Sequence, residues 1–456
     1  MEKKLFSRRI FLTGTAATIA ATGYAAPASS VKVRKTTLAK SGFVSPNQKL
    51  NMAAIGAGGK GGGDIEQCAD LGENVIALCD PDWNRAAGLF NKMPDAKQYK
   101  DFRQMLDEMG DQIDACTIST PDHTHAVAAM ACMERGIHVY VQKPLTKTIK
   151  EARVLTEAAR KYGVMTQMGN QGHSGDGVRD LCEMIWSGMI GDVREVHAWT
   201  NRPIWPQGIA DPLPPEDIPE TMDWDSWIGP APMRPYNSQY APFNWRGWWD
   251  WGCGALGDMA CHVLDPVNWA LNLGYPSSVE CLMEEGNSEQ TFPNKSIIKF
   301  EFPARGAFPQ VSVTWYDGKL KPEMPEGVAE DYQMDESGSI FIGTNGIIAT
   351  GTYGEGSRII RGDASGDKAQ KIIPRLPGDG DDIRHKIDWI RACKTGVPAG
   401  SNFDYAGPFT EWVVMGNLSL KFPGEKLLWD GEAMRFTNKK EANQFVHYKY
   451  RKGWSL

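Results

Sequence analysis

The chain has 456 residues, with 49 Lys and Arg against 56 Asp and Glu and a formal net charge of −7. At that length two domains are expected rather than one core, and the interspersed charges exclude a basic nucleic-acid surface. Nine cysteines without a C-x-x-C pair argue against a disulfide framework or a zinc site and read as buried free thiols.

The N-terminus reads as a targeting segment. Ser7-Arg8-Arg9-Ile10-Phe11-Leu12 precedes an alanine- and threonine-rich apolar stretch to about Ala26. This resembles a twin-arginine export signal, with an apolar part too short and too weak for a membrane span. Cleavage is expected around Ala26–Ala28, which makes 1–28 a signal peptide. No lipobox cysteine is present, so no membrane anchor is expected. The resemblance implies export after folding, hence a periplasmic protein that is loaded with any cofactor before it crosses. Residues 29–48 are polar, contain Pro46 and read as a linker or arm.

From Lys49 short apolar strands alternate with helices. Strands are expected at 50–55, 74–79, 113–119, 137–141 and 163–168, and helices between them include 124–135 and 148–161. Such alternation predicts a Rossmann-type, doubly wound α/β domain over 49–168. The first strand runs into Gly56-x-Gly58-x-x-Gly61, and the second ends in Asp80. In a dinucleotide-binding turn Gly56 allows the tight bend. Gly58, with Gly59 beside it, lets backbone N–H groups approach a pyrophosphate at a helix start, and Gly61 lets that helix pack close. Asp80 is placed to accept from ribose hydroxyls, which favours NAD over NADP; Arg85 is near enough to weaken that preference.

A helix is expected near 176–187. Strands at 193–200, 278–283, 296–303, 309–316, 338–342 and 346–350 predict an α+β substrate domain over 169–380 with a large, mostly antiparallel sheet. Helices at 381–394 and 407–420, within a C-terminal segment 381–456, are expected to return towards the first domain.

Chemistry-bearing residues gather at the predicted strand ends, where open α/β sheets bind ligands. One such end is Ile118-Ser-Thr120-Pro121-Asp-His-Thr-His125, and another is Gln142-Lys143-Pro144, whose X-Pro bond admits a cis form that would aim the lysine inward. Asn170, Gln171 and His173 follow a third and are candidates for nicotinamide or substrate contacts. Asp258 and His262 are four apart in a segment, 255–271, expected to be one helix, so they share a face, and a carboxylate that orients an imidazole makes a general base. A metal reading of Cys253, Cys261 and His262 matches no usual ligand set. Residues 199–251 hold eight of the sixteen tryptophans. Aromatic faces stack on sugar rings, so Tyr236, Arg246, Trp248 and Trp251 are substrate-side candidates, while most of the tryptophans are expected to knit a long loop onto the domain.

Together these stretches resemble the glucose–fructose oxidoreductase / inositol dehydrogenase (Gfo/Idh/MocA) family, from the glycine turn to about Met434. The family's Glu-Lys-Pro corresponds to Gln142-Lys143-Pro144, with the lysine kept and the acid lost. Its D-x-x-x-H pair falls on Asp258 and His262, and its T-P-x-x-x-H on Thr120, Pro121 and His125. The resemblance implies a cofactor site of Gly56, Gly58, Gly59, Gly61, Asp80, Arg85, Thr120, Pro121, His125, Gln142, Lys143 and Asn170, and a catalytic set of Lys143, Asp258 and His262. In that set His262 takes the hydroxyl proton, Asp258 orients His262, and Lys143 stabilises the oxygen that becomes a carbonyl. It also implies a homodimer or tetramer. The expected activity is hydride transfer between a sugar, glycoside or polyol hydroxyl and a tightly bound NAD (or NADP). The alternative is an NAD-dependent glycoside hydrolase working by transient oxidation, elimination and re-reduction. A non-catalytic sugar-binding protein is a third reading, disfavoured by the joint presence of Lys143, Asp258 and His262.

Overall fold

A strand at the centre of a parallel sheet must be apolar on both faces, and Met52–Ile55 is buried throughout. The computed structural model of the protein describes residues 48–362 and 369–456; the arginine-pair signal lies outside them. Strand β1 (Asn51–Ile55) leads through the glycine turn into α1 (Lys60–Asp70), followed by β2 (Asn74–Cys79), α2 (Trp83–Lys92), β3 (Lys97–Tyr99), α3 (Phe102–Met109), β4 (Ala115–Ile118), α4 (Asp122–Glu134), β5 (His138–Val141), α5 (Ile149–Tyr162) and β6 (Thr166–Met168). The six strands lie in the order β3-β2-β1-β4-β5-β6, all parallel. This is the doubly wound Rossmann order, and its strand ends open on one edge. Local signals set the helix limits. Thr148 and Glu151 form a capping box at the start of α5, and Gly163, at φ 65°, ends it in the left-handed conformation.

Helix α6 (Asp176–Trp186) and strand β7 (Val193–Trp199) begin the second domain. A short helix α7 (Trp224–Ile228) lies in the tryptophan-rich segment, followed by α8 (Gly254–Val263) and α9 (Asp265–Ala270). The single helix expected over 255–271 is broken at Leu264. Pro266, at the start of α9, has no N–H to donate and its ring opposes the carbonyl four residues back. Strands β8 (Ser278–Glu285), β9 (Lys295–Phe302), β10 (Val311–Tyr316), β11 (Gly338–Gly343), β12 (Ile347–Thr350) and β13 (Arg358–Arg361) follow, then α10 (Asp381–Thr395), α11 (Phe403–Ser419), β14 (Lys426–Asp430) and β15 (Arg435–Phe436). The nine-stranded sheet has the order β13-β12-β11-β7-β10-β9-β8-β14-β15. Only β7 and β10 pair in parallel. The strands that hydrophobic patterning does not predict, β3, β13, β14 and β15, are short and lie at sheet edges or, for β14, next to one, where few positions are buried. Helix α11 begins earlier than expected, at an Asn402 cap, and runs through Pro408. All nine cysteines are buried and unpaired. Among the described residues no helix is long and apolar enough to cross a membrane.

The two C-terminal helices pack back on the first domain. In α11 the buried Glu411 accepts from Nε and Nη2 of Arg153 on α5, both at 2.7 Å. In α10 the fully buried Lys386 donates to Asp64 of α1 at 2.9 Å and to the Tyr140 hydroxyl at 2.9 Å. An unpartnered buried charge is far costlier than a lost surface pair. Lys386→Met is therefore expected to lower unfolding free energy by about 3–5 kcal/mol, with partial recovery in Lys386→Met/Asp64→Asn, measured by denaturant titration.

Candidate active site

The glycine turn is built by close approaches. Gly56 has φ +87°, and a Cβ there would sit 2.5 Å from the Ser119 carbonyl oxygen. A Cβ on Gly61 would sit 1.9 Å from the Gly56 carbonyl oxygen, so only glycine lets α1 start against the turn. The Asp80 carboxylate accepts from the backbone N–H of Ala57 (2.9 Å), Gly58 (2.8 Å) and Asp82 (2.9 Å). The acid that closes β2 thus also grips the turn. Burial pushes its carboxyl up to about 6, against the pull of those three donors. Arg85 packs over Gly58 and Gly59.

A cavity of about 400 Å³ starts at Gly56, Gly58, Gly59, Asp80 and Arg85. It passes Ser119, Thr120 and Pro121 and reaches Gln142, Lys143, Gln171, Arg246, Asp258 and His262; Trp227, Phe243 and Trp245 supply aromatic walls. A cradle of backbone at one end and a titratable cluster at the other fits a dinucleotide laid along the sheet edge with its nicotinamide beside Lys143 and His262.

At the cluster, the Lys143–Pro144 bond is cis. Lys143 Nζ donates to the Asp258 carbonyl and to Asp258 Oδ1, both at 2.8 Å. Arg246 Nε donates to the same Oδ1 at 3.2 Å. Burial would raise the Asp258 carboxyl, but the two cations outweigh it and hold the group at about 2. The expected contact between Asp258 and His262 is absent. Both residues lie on one face of α8, yet the carboxylate is drawn to its two cations. His262 Nδ1 is buried without a hydrogen-bond partner, and the ring meets Tyr353 edge-on at 5.1 Å. Burial, then the nearby Lys143, push its imidazole down to about 3, so it is neutral. An ammonium has three N–H groups; two of those on Lys143 are used on Asp258, and one is left for the cavity.

One further carboxyl lies in the same cavity. Asp122 is 5 % exposed and lines it with Lys143, Arg246 and Asp258. Among the described residues it forms no ion pair, and its side-chain hydrogen-bond partner is Cys253. Burial pushes it up to about 7, against the attraction of Arg246 and Lys143. Sequence reasoning passed over it because an acid at the first position of a helix has an ordinary explanation in the helix dipole.

Other expected site residues do not reach the cavity. His125 is buried and bridges the Thr120 and Pro144 carbonyls at 2.9 and 2.8 Å, tying two strand ends together. Asn170 and His173 belong to a buried cluster around Asp265, which Tyr405 also joins. They are structural there because Asp265 needs donors once it is buried. Tyr236, Trp248 and Trp251 sit with Trp224, Trp227 and Tyr240 in a buried aromatic cluster. From the tryptophan-rich stretch it is Trp227 and Trp245 that line the cavity, with Arg246 over the Trp245 ring at 4.3 Å.

Gln142 explains why an amide stands where the resemblance leads one to expect an acid. Its Nε2 donates to Asp64 Oδ2 at 2.8 Å, and its Oε1 accepts from the Lys143 N–H at 3.3 Å. Gln142→Glu would bring a second carboxylate against Asp64. It is expected to cost about 1–3 kcal/mol at pH 7. The raised pKa of the added acid makes this deficit shrink as pH falls towards about 4, which thermal unfolding across pH measures.

Residues 50–170 match the sequence model described as the oxidoreductase family's NAD-binding Rossmann fold, and residues 176–297 match that of its C-terminal alpha/beta domain. An inositol 2-dehydrogenase of Saccharopolyspora erythraea is 27% identical over 165 residues, 36% of this chain and 48% of that protein. The chain thus spans about half the length of the curated relatives it matches. Two solved structures share the fold. The WlbA dehydrogenase of Bordetella pertussis, in complex with NADH and UDP-GlcNAcA, aligns with TM-score 0.60 at 16% identity over 84% of this chain and 99% of its own. The aldose-aldose oxidoreductase of Caulobacter crescentus aligns with TM-score 0.57 at 14% identity over 84% and 100%. Matched in both of its domains, the chain belongs to the Gfo/Idh/MocA oxidoreductase family.

Proposed function

We propose that the protein oxidises a hydroxyl of a sugar, glycoside or polyol with an NAD that stays bound. The observation that carries this is one continuous cavity with the glycine turn at one end and Lys143, Asp258 and His262 at the other. A bound nicotinamide supplies the hydride acceptor. The rest falls to the chain's own residues. His262, neutral and lining the cavity, takes the hydroxyl proton. Lys143 gives its remaining N–H to the oxygen that becomes a carbonyl. Asp258 holds the Lys143 ammonium in place and takes a second bond from Arg246, and the Trp227 and Trp245 faces receive the C–H face of a sugar ring. Asp80 at the turn favours NAD.

The names of the relatives support a polyol or sugar substrate: inositol for the curated ones, an aldose pair for the Caulobacter structure. The arginine pair Arg8-Arg9 supports export by the twin-arginine route to the periplasm, where a resident cofactor would be recycled in place. Glycoside hydrolysis by transient oxidation uses the same groups. The unpaired Asp122 carboxyl favours it as a second reading, since cleavage needs a proton donor that simple dehydrogenation does not.

Purified full-length protein is expected to release about one NAD per chain on denaturation, measured by mass spectrometry; empty protein that requires added nucleotide counts against the bound-cofactor reading. His262→Ala should keep its nucleotide yet lose turnover about 10²–10⁴-fold, followed as carbonyl product from a panel of sugars and polyols. Wild-type turnover in that variant removes the assignment. Arg8→Lys with Arg9→Lys is expected to leave uncleaved precursor inside the cell, read by fractionation and intact mass.

A further inference from the structure

Asp122 is a buried carboxyl that faces the reaction cavity and is left out of its ion pairs. The charged and titratable groups around it are Lys143 beyond β5, Arg246 on the 3-10 turn Asn244–Gly247, Asp258 on α8 and the Cys253 thiol just before α8. Both cations are bonded to Asp258, at 2.8 and 3.2 Å. A second carboxylate there would lie buried beside the first with no cation of its own, and such a group takes a proton instead. Two carboxyls in one cavity, one held ionised and one held as the acid, divide the roles of charge stabiliser and proton donor.

We propose that Asp122 is a catalytic proton donor, which protonates the departing oxygen when this cavity cleaves a glycoside. The inference rests on the second reading above. A carbonyl two carbons from the anomeric centre makes the hydrogen between them acidic. A base removes that proton; His262, neutral again after passing its first proton to solvent, lines the cavity and is placed to take it. The C–H electron pair becomes a carbon–carbon double bond and the glycosidic C–O bond breaks. The leaving oxygen keeps its bonding pair, takes the proton of Asp122 and departs as an alcohol. Water then adds to the enone: its oxygen bonds the anomeric carbon, one of its protons restores the Asp122 acid, and protonated His262 returns its proton to the neighbouring carbon, so both groups are reset.

Keto-glycosides already oxidised at that carbon test this without any redox step. Two are compared on wild type, Asp122→Asn and Asp122→Glu: one with a nitrophenolate leaving group, which departs without help, and one with a methoxide, which needs a proton. Asp122→Asn is expected to slow methanol release about 10²-fold or more, to change nitrophenol release only a few-fold, and to be partly rescued by Asp122→Glu. A merely structural role would slow both substrates alike, and that result overturns the proposal, as does unchanged methanol release. Infrared spectra of the protein as purified provide a readout independent of turnover. A protonated-carboxyl band present in wild type at neutral pH should vanish in Asp122→Asn, and its absence from wild type overturns the assignment. Failure of wild type to release either alcohol removes the glycoside reading itself and the proposal with it, while the dehydrogenase reading stands.

Discussion

A single buried carboxylate, Asp64, holds the cofactor edge of the first domain together. It belongs to α1, the helix that begins at the glycine turn. Its Oδ1 receives Lys386 from α10 at 2.9 Å and Lys60 at 3.2 Å. Its Oδ2 receives Ser119 beyond β4 and Gln142 beyond β5, each at 2.8 Å. Desolvation alone would make the acid neutral; Lys386 and Lys60 keep it charged. One ion therefore fixes the turn helix, two strand ends and a helix from the far end of the chain. Lys143 follows Gln142 directly, so the same carboxylate sets where the Lys143 side chain starts.

Charge in the cavity is distributed by competition. Three carboxyls lie along it, Asp80 and Asp122 buried and Asp258 half-buried, and they meet different partners. Asp80 finds backbone donors of the turn it closes. Asp258 captures both cations. Asp122 is attracted by those cations without an ion pair to either, with a thiol as its bonded neighbour. The consequence is a split in proton affinity, low at Asp258 and raised at Asp80 and Asp122. A neutral imidazole at His262 completes a cavity able to accept one proton and donate another.

Much of the fold was legible because its signals are local. Each strand of the parallel sheet that hydrophobicity can mark, from Met52–Ile55 to His138–Val141, is a short continuous apolar run. The edges were not legible: Lys97–Tyr99 and Arg435–Phe436 pair along one side only and need little hydrophobicity. In the candidate site, glycine spacing, Asp80, Lys143, Asp258 and His262 were found from motif and strand-end position. The aromatic assignments fared worse. Composition cannot say which face of a loop a tryptophan occupies, and Trp248 and Trp251 went to the core of the loop while Trp227 and Trp245 went to the cavity.

The sequence by itself determined the Rossmann order of elements, the turn that only glycine permits at positions 56 and 61, and the presence of lysine, acid and histidine at positions that fold to one edge. These follow from periodicity and backbone sterics, which act within a few residues. Only the tertiary structure decided which acid pairs with which base. Lys386 reaches Asp64 across 322 residues, Lys143 reaches Asp258 across 115, and Asp122 is left with Cys253. Partnership between charges depends on distance and burial in space, and neither quantity is carried by the order of residues along the chain.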